Sequence, residues 1–285
     1  MSKRSSSAAV KRRGLLGLSF TGMLLGAVTM VVPFAWMIST ALKDSKLVYS
    51  FPPQWIPDPV DWQNFAEVWD VVPLGRGLVN STIVTVTVVL VGSLTSSMAA
   101  FAFAKLGFPH KDKVFLALLA TMMIPFVVTV IPQFVVYSKI GWIDTLWPLI
   151  VPGTLGNVTM IFFLRQYMTG LPAELMEAAR IDGAGIPRTF ASIFLPLCAP
   201  AIAANVIIVF MTVWNDYLGP LIFTNSTERS TVQLVIASLS SYYEEQTDFP
   251  IVMAASLVAV LPVVLLFIFC QKYFVSSFAL SGIKG

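Results

Sequence analysis

The feature that most constrains this chain is a series of long apolar runs. A bilayer core about 30 Å thick needs about 20 helical residues, whereas the strands of a membrane barrel are short and alternate in polarity. The runs are longer than such strands and apolar on all sides, so the sequence predicts an all-α polytopic membrane protein with six transmembrane helices. The predicted spans are Leu15–Leu42, Leu78–Ala104, Val114–Tyr137, Leu146–Phe163, Leu197–Phe223 and Ile251–Cys270.

The composition excludes several other classes of protein. Only 12% of the 285 residues are charged and 56% are hydrophobic, whereas about a quarter of the residues of an average soluble domain are charged. An ordinary soluble enzyme, a disordered chain and a nucleic-acid binder with a basic face are therefore excluded. The two cysteines and the single histidine, His110, predict neither a disulfide scaffold nor a histidine-ligated metal site.

The distribution of basic residues predicts the orientation of the chain, because cytoplasmic loops are enriched in Lys and Arg. With the N-terminus inside, thirteen Lys and Arg residues fall on the cytoplasmic side and five on the other. We therefore expect a cytoplasmic tail over residues 1–14, a transmembrane domain over 15–285 and both termini in the cytoplasm. A cleaved signal peptide is disfavoured, because the first run exceeds the usual 7–15 apolar residues.

The loop over residues 165–196 is the most informative cytoplasmic segment. Its acidic residues at 174 and 177 suit the first turn of a helix, and Gly183 can adopt the positive φ that ends one. Pro187 then suits the first turn of a second helix. The pattern predicts a helix, a glycine turn and a helix outside the bilayer. Periodicity alone leaves open whether this unit lies along the membrane surface or receives a partner.

The same loop carries a resemblance to the permeases of ABC importers. Its residues fit the EAA motif of that family, E-A-A-x3-G-x9-I-x-L-P, at every fixed position. The wider chain, with Trp214-Asn215-Asp216 and the tail to Gly285, resembles carbohydrate-uptake permeases, and most of all the shorter permease subunit of the maltose transporter. The matching motif residues are Glu177, Ala178, Ala179, Gly183, Ile193, Leu195 and Pro196.

The resemblance implies a type I ABC importer permease and a set of partners. These are a second permease subunit, a cytoplasmic ATPase dimer, an extracytoplasmic substrate-binding protein and membrane lipid, with no nucleic acid. The motif would form the coupling helix that docks on one ATPase subunit, in a bacterial or archaeal plasma membrane. In the maltose-type permease the C-terminal tail also reaches the ATPase; the corresponding residues here are Gly282, Ile283, Lys284 and Gly285.

Energy would have to reach this chain from a partner. No G-x-x-x-x-G-K-[ST] phosphate loop occurs in the sequence. We therefore expect a transport subunit without catalytic activity, cofactor or metal, and we expect ATP and Mg²⁺ to be bound by the ATPase subunits.

Polar residues in the fifth predicted span form the second candidate site. On a continuous helix Asn205, Thr212 and Asp216 would lie on one stripe. Together with Trp214 and Asn215 they could line a pathway for sugars, which offer hydroxyls to polar groups and a ring face to an aromatic side chain. Hydrogen bonding between helices is the alternative role. The maltose resemblance implies that the other permease subunit makes most of the sugar contacts.

Three other functions compete with sugar import by an ABC transporter. The same architecture could import glycerol-phosphate or a polyol, and the sequence alone does not separate these cargoes. A stand-alone secondary transporter would show inverted repeats and coupling-ion residues at mid-membrane, but only Asp216 is acidic within a span. An intramembrane enzyme would need a catalytic cluster in the spans, and the sequence offers none.

Overall fold

The computed structural model describes the backbone of residues 3–242 and 248–281, and the side chains within 16–240 and 248–271. The described residues form helices and connecting loops with no strand, which confirms the predicted all-α class. The helices are α1 (Lys3–Ala41), α2 (Asn64–Val71), α3 (Leu74–Thr87), α4 (Ser93–Lys105), α5 (Lys111–Thr121), α6 (Phe126–Lys139), α7 (Trp147–Thr154), α8 (Val158–Thr169), α9 (Glu174–Ile181), α10 (Ile186–Thr189), α11 (Leu195–Leu197), α12 (Ala199–Trp214), α13 (Leu218–Phe223), α14 (Val232–Tyr242) and α15 (Phe249–Ser281).

Four helical segments of the described chain are each long and apolar enough to cross a membrane. They are Leu16–Ala41, Leu74–Lys105, Trp147–Thr169 and Phe249–Gln271. The second of them joins α3 to α4 through one π-helical turn, Val88–Gly92. Two further pairs of helices bend sharply, and each pair qualifies as a span if counted as one, so the described residues hold up to six spans.

Proline and glycine account for two of the breaks in the predicted spans. Helices α5 and α6 meet at 95°, and Pro125, whose ring fixes φ and whose nitrogen carries no hydrogen, stands directly before α6. Between α7 and α8, Gly156 has a φ of +122°. Asn157 then starts α8 by accepting a hydrogen bond from the backbone N–H of Met160.

The fifth predicted span is not one helix. Helix α12 ends at Trp214, and the short helix α13 begins at Leu218. Side chains compete with the helical backbone at this break. The Asn215 amide donates to the Met211 carbonyl at 2.8 Å, and the Asp216 carboxylate accepts from the Gly219 N–H at 3.2 Å. The helical angle that placed Asp216 on a stripe with Asn205 therefore does not apply beyond Trp214.

The chain divides into two compact units. The first comprises Met1–Val71 and Leu239–Val258. Its best-defined contact is made by the buried Asn64, whose side-chain amide donates to the carbonyls of Ala41 and Lys43 at 3.0 and 2.9 Å. These two hydrogen bonds join the end of α1 to the start of α2, so the two ends of the loop that connects these helices lie side by side.

The second unit comprises Val72–Ser238 and Ala259–Gly285, and its core is rich in aromatic residues. Phe194 is fully buried and its ring lies 5.0 Å from that of Phe101, which belongs to α4. Leu164 and Met168 of α8 are also fully buried in this core. The core thus joins the helix pair of the candidate coupling loop to the second and fourth spans.

A close backbone approach in the same unit depends on small residues. Gly92, at the end of the π-helical turn, faces Gly153 of α7, and a Cβ added at Gly92 would overlap the carbonyl oxygen of Gly153. Next to this contact, Thr95 Oγ1 donates to the Thr154 carbonyl at 2.8 Å. Ser96 Oγ accepts from the Asn157 N–H at 2.8 Å. Glycine and hydroxyl side chains therefore hold these two spans at short range, as in other membrane helix pairs.

Candidate functional site

The candidate coupling loop folds as a helix, a glycine turn and a second helix, as the sequence predicts. Helix α9 carries Glu174 and Glu177 in its first turn. It ends at Ile181, and Gly183, two residues later, has a φ of +70°. The Gly183 N–H donates to the Arg180 carbonyl and the Ala184 N–H to the Ala179 carbonyl, at 3.1 and 2.9 Å. This pair of bonds is the Schellman ending of a helix, which places glycine at the left-handed position.

Two isoleucines next to this turn are exposed. Ile181 is 86% exposed and Ile186 is 54% exposed. Large apolar side chains on a polar loop commonly mark a contact surface. Of the motif residues, Glu177, Ala178, Gly183 and Pro196 are also exposed, Ile193 and Leu195 are half-buried and Ala179 is buried.

The loop is fastened to the second span at both of its ends. Lys105, the last residue of α4, donates from Nζ to the Leu171 carbonyl at 2.8 Å, where the loop begins. The same ammonium lies 5.5 Å from the ring of Phe194, near the other end of the loop. The loop is therefore connected to the end of α4 by a hydrogen bond and by the contact of the ammonium with an aromatic ring. Nothing in the sequence around Lys105 indicates these contacts.

The structure separates the five pathway candidates. Asn205 is buried and its amide donates to the Ala201 carbonyl one turn earlier, at 2.9 Å. Trp214 is 3% exposed, and its Nε1 donates to the Ala259 carbonyl at 3.1 Å. Asn215 is exposed and accepts a hydrogen bond from Gln233. None of these three residues lines either of the two cavities described below.

Thr212 and Asp216 do come together, in a cavity of about 270 Å³ within the second unit. Ser81 of α3 and Thr231, just before α14, complete its polar lining. The other lining side chains are apolar and include Phe126. Thr212 also lines a neighbouring cavity of about 240 Å³ beside Gly92 and Gly153. Three segments of the chain thus bring four polar side chains, three hydroxyls and one carboxylate, to one space.

The absence of a side chain at Gly219 leaves room for the carboxylate of Asp216. Its Oδ1 accepts the Gly219 N–H at 3.2 Å. A Cβ at Gly219 would come within 2.5 Å of Asp216 Oδ2 and 3.3 Å of Leu149. Glycine therefore allows the carboxylate to lie against the start of α13.

A carboxylate outside the spans joins two loops of the second unit. Asp144 has a φ of +60° and donates its backbone N–H to the Phe223 carbonyl at 2.8 Å. Its Oδ1 accepts the N–H groups of Ser226 and Asn225 and the Ser226 hydroxyl, at 2.8, 2.9 and 2.8 Å. These hydrogen bonds, that from the Ser226 backbone foremost, lower the pKa of Asp144 because they favour its charged form.

Comparison with known protein families decides what kind of protein this is. The sequence model of the family described as "binding-protein-dependent transport system inner membrane component" matches residues 92–279. The chain belongs to this family. An inner membrane component of a binding-protein-dependent system is a permease subunit of an ABC importer, and the resemblance found in the motif is thereby confirmed.

Curated relatives of this inner membrane component support the same assignment. The chain is 36% identical over 72% of its length, and 73% of the relative, to the arabinooligosaccharide transport permease of Halalkalibacterium halodurans. It is 32% identical over 93% of its length, and 96% of the relative, to an sn-glycerol-3-phosphate transport permease of Yersinia enterocolitica. A diacetylchitobiose uptake permease of Streptomyces coelicolor is 28% identical, with 95% and 89% covered.

A solved structure shares the fold of this inner membrane component. It is a bacterial ABC transporter involved in the import of the acidic polysaccharide alginate, with a TM-score of 0.79, 20% identity, and 92% and 96% of the two chains covered. This likeness confirms the predicted fold of an ABC importer permease. Within the part of the chain that the structure describes, no group of three His, Cys, Asp or Glu residues could hold a metal ion.

Proposed function

We propose that this chain is one of the two permease subunits of an ABC importer that takes up a sugar or oligosaccharide. Support for this cargo comes from the relatives named for arabinooligosaccharides and diacetylchitobiose. We further propose that an extracytoplasmic binding protein delivers it. A second solved alginate transporter, of the same fold at a TM-score of 0.62, is in complex with a periplasmic protein carrying an alginate pentasaccharide.

Coupling to ATP hydrolysis would occur at the loop formed by α9 and the helix that follows Gly183. The observation that carries this proposal is the exposure of Ile181 and Ile186 on either side of the turn, in a segment whose spacing matches the family motif. A cytoplasmic ATPase subunit could cover these side chains, while the contacts of Lys105 would pass its movement to the second span. ATP and Mg²⁺ would be bound by the ATPase dimer.

The orientation and the ends of the chain are part of the same proposal. We expect both termini in the cytoplasm of a bacterium or archaeon, with residues 1–14 as a tail before the transmembrane domain. The proposed second ATPase contact, Gly282 to Gly285, lies outside the residues that the structure describes.

Import of sn-glycerol-3-phosphate is the second candidate function. The relative of that name is 32% identical and covers 93% of the chain. The two cargoes share the hydroxyl groups but differ in charge, so the groups that line the permeation pathway should distinguish them. A stand-alone secondary transporter receives no support from the family, which is defined by dependence on a binding protein.

The coupling proposal is tested by two charge reversals in the same helical turn. Glu174 and Glu177 are both exposed and both lie in the first turn of α9, so each reversal removes a similar interaction with the helix dipole. In proteoliposomes that hold the whole importer, we expect Glu177→Lys to abolish sugar uptake and the stimulation of ATPase activity by the binding protein.

The matched control is Glu174→Lys, which lies outside the motif and should keep most of both activities. Glu174 also attracts Lys105 electrostatically, so Glu174→Gln, which adds no positive charge beside Lys105, is measured with it and should keep them as well. If the two variants lost uptake and ATPase stimulation equally, the loss would be explained by the changed interaction with the helix dipole, and docking at Glu177 would be contradicted. Proteoliposomes that hold this chain alone should show no uptake. Uptake by the chain alone in an ion gradient would support the secondary transporter instead.

A further inference from the structure

The loop between α1 and α2 contains an exposed, uncharged segment that is rich in aromatic residues. Residues 49–57, here called the aromatic segment, read Tyr-Ser-Phe-Pro-Pro-Gln-Trp-Ile-Pro and carry no charge. Phe51 is 94% exposed and Ile56 is 84% exposed, and Tyr49 and Trp55 are exposed as well. Large apolar side chains grouped in this way on a surface commonly mark a contact with another molecule or with a membrane.

The aromatic segment folds back along the first membrane span. The ring of Trp55 lies 5.0 Å from that of Trp36, in an edge-to-face arrangement. Trp36 belongs to the span Leu16–Ala41 and precedes Ala41 by about 7.5 Å along the helix axis. The middle of the loop therefore lies beside the last turns of the span and not beyond its end.

The beginning of the aromatic segment contacts the start of another span. The ring of Tyr49 lies 6.0 Å from that of Phe249, the first residue of the span Phe249–Gln271. Shortly before the segment, Ser45 Oγ donates to Asp248 Oδ1 at 2.8 Å. Within one compact unit, the segment is thus held where the first span ends and the last span begins.

The length of the first span sets the depth of these contacts in the bilayer. A helix of 26 residues is about 39 Å long, which exceeds the hydrocarbon core of about 30 Å. Its last turns therefore lie among the headgroups or at the edge of the hydrocarbon core, and so does the aromatic segment beside Trp36. Trp and Tyr are enriched at this depth, because their rings are apolar while one end of each ring is polar.

The charges around the aromatic segment indicate an apolar contact with lipid. The charged residues nearest to it in the sequence are Lys46 on one side and Asp58 on the other, so no basic cluster is present to attract anionic headgroups. Burial of apolar side chains must then supply the binding. Since lipid has no fixed shape, such a contact requires apolar side chains but no exact length of the segment.

We propose that the aromatic segment lies in the membrane interface and inserts Phe51 and Ile56 among the lipid headgroups. Its contacts with Trp36 and Phe249 then hold the end of the first span and the start of the last span at one depth in the bilayer. The proposal goes beyond the transport function and does not depend on the identity of the cargo.

The test places one nitroxide label on the full chain, within the complete importer in phosphatidylcholine vesicles. Cys198 and Cys270 are replaced by alanine, and one cysteine is introduced as Phe51→Cys, Ile56→Cys or Asp70→Cys. Collisions of the label are measured with oxygen, which concentrates in lipid, and with a nickel chelate, which stays in water. We expect oxygen accessibility to exceed nickel accessibility several-fold at positions 51 and 56. The reverse is expected at the matched control, Asp70, which is exposed in the same unit but charged.

A second comparison tests the contact between Trp36 and Trp55 with the label at position 51. Trp36→Ala should bring the ratio of oxygen to nickel accessibility toward that of position 70, because the loop loses its contact with the span. The control, Trp69→Ala, removes an exposed ring elsewhere in the same unit and should leave the ratio unchanged. Equal ratios in the two variants would refute the statement that this contact sets the depth of the segment.

Each other outcome at positions 51 and 56 overturns the proposal. Nickel accessibility above oxygen accessibility would place the segment in water. Low accessibility to both reagents would show that another subunit of the importer covers it, and if this protection appeared only after addition of the binding protein, that protein would be the partner. An oxygen preference that appeared only when phosphatidylglycerol was added to the vesicles would refute the apolar basis of the contact. None of these readings depends on sugar uptake, so a failure of the proposed function is detected separately.

Discussion

Replacement of Gly183 isolates the contribution of one backbone conformation to coupling. Its φ is +70°, and a Cβ built at this position meets nothing within 4 Å. The cost of a side chain here is therefore purely conformational. For an L-residue the left-handed conformation costs about 1–2 kcal/mol, and a β-branched residue should lie at the upper end of that range. An energy of this size changes a population by a factor of about 5–30.

The expected result is a graded loss of transport. In the reconstituted importer, Gly183→Asn should keep much of the uptake, since Asn tolerates the left-handed region. Gly183→Ala should lower uptake several-fold, and Gly183→Val about tenfold or more, with membrane insertion unchanged. The control is Gly185→Ala in the same loop. Gly185 has a φ of −70°, and a Cβ there would lie 3.9 Å from Pro187, at ordinary contact distance.

Two results would refute this reasoning. Wild-type uptake in Gly183→Val would show that the left-handed turn is unnecessary for coupling. A loss in Gly185→Ala as large as that in Gly183→Val would show that the loop resists any added side chain, whatever its backbone conformation.

Three further predictions concern the second unit. The thermal midpoint of Asp144→Asn should lie below that of the wild type by a constant amount above about pH 5. Because the folded pKa of Asp144 is lowered, this difference should begin to shrink as the pH falls below the unfolded value of about 3.9, and it should disappear only as the pH falls through the lower folded pKa. Gly92→Ala should lower the free energy of unfolding, since the added Cβ meets a backbone carbonyl that cannot rotate away and overpacking costs about 1–3 kcal/mol. The control is Gly22→Ala, where a Cβ meets nothing within 4 Å. This variant should instead raise the free energy of unfolding by up to about 1 kcal/mol, the difference in helix propensity between Ala and Gly. In a cysteine-free background, Thr212→Cys should react with a membrane-impermeant thiol reagent and Asn205→Cys should not, because only the first position lines a cavity; equal labelling of the two would contradict this.

Local signals in the sequence predicted the helix, glycine turn and second helix of the candidate coupling loop. The glycine turn at Gly183 and the helix start at Pro187 depend on backbone preferences that each residue carries with it, and both appear in the structure. The end of α12 was harder to predict, because apolar residues continue on both sides of the break and only Asn215 and Asp216 mark it.

The cavity could be predicted only in part. Its polar groups come from segments as distant in sequence as Ser81 and Thr231. Nothing in the sequence near Thr231 distinguishes it from an ordinary loop threonine. Lys105 likewise carries no signal of its role in the sequence, since its contacts with Leu171 and Phe194 depend on the packing of distant helices.

The closed base of the loop between α1 and α2 has a consequence for evolution. The Asn64 amide binds the carbonyls of Ala41 and Lys43, and the Asp61 N–H donates to the Leu42 carbonyl at 2.9 Å. The loop thus leaves and rejoins the protein at one fixed point. Doubling the length of a flexible loop costs only about 0.6 kcal/mol, so insertions among the exposed residues 51–54 should accumulate among relatives without moving α2, while replacements of Asn64 should be rare.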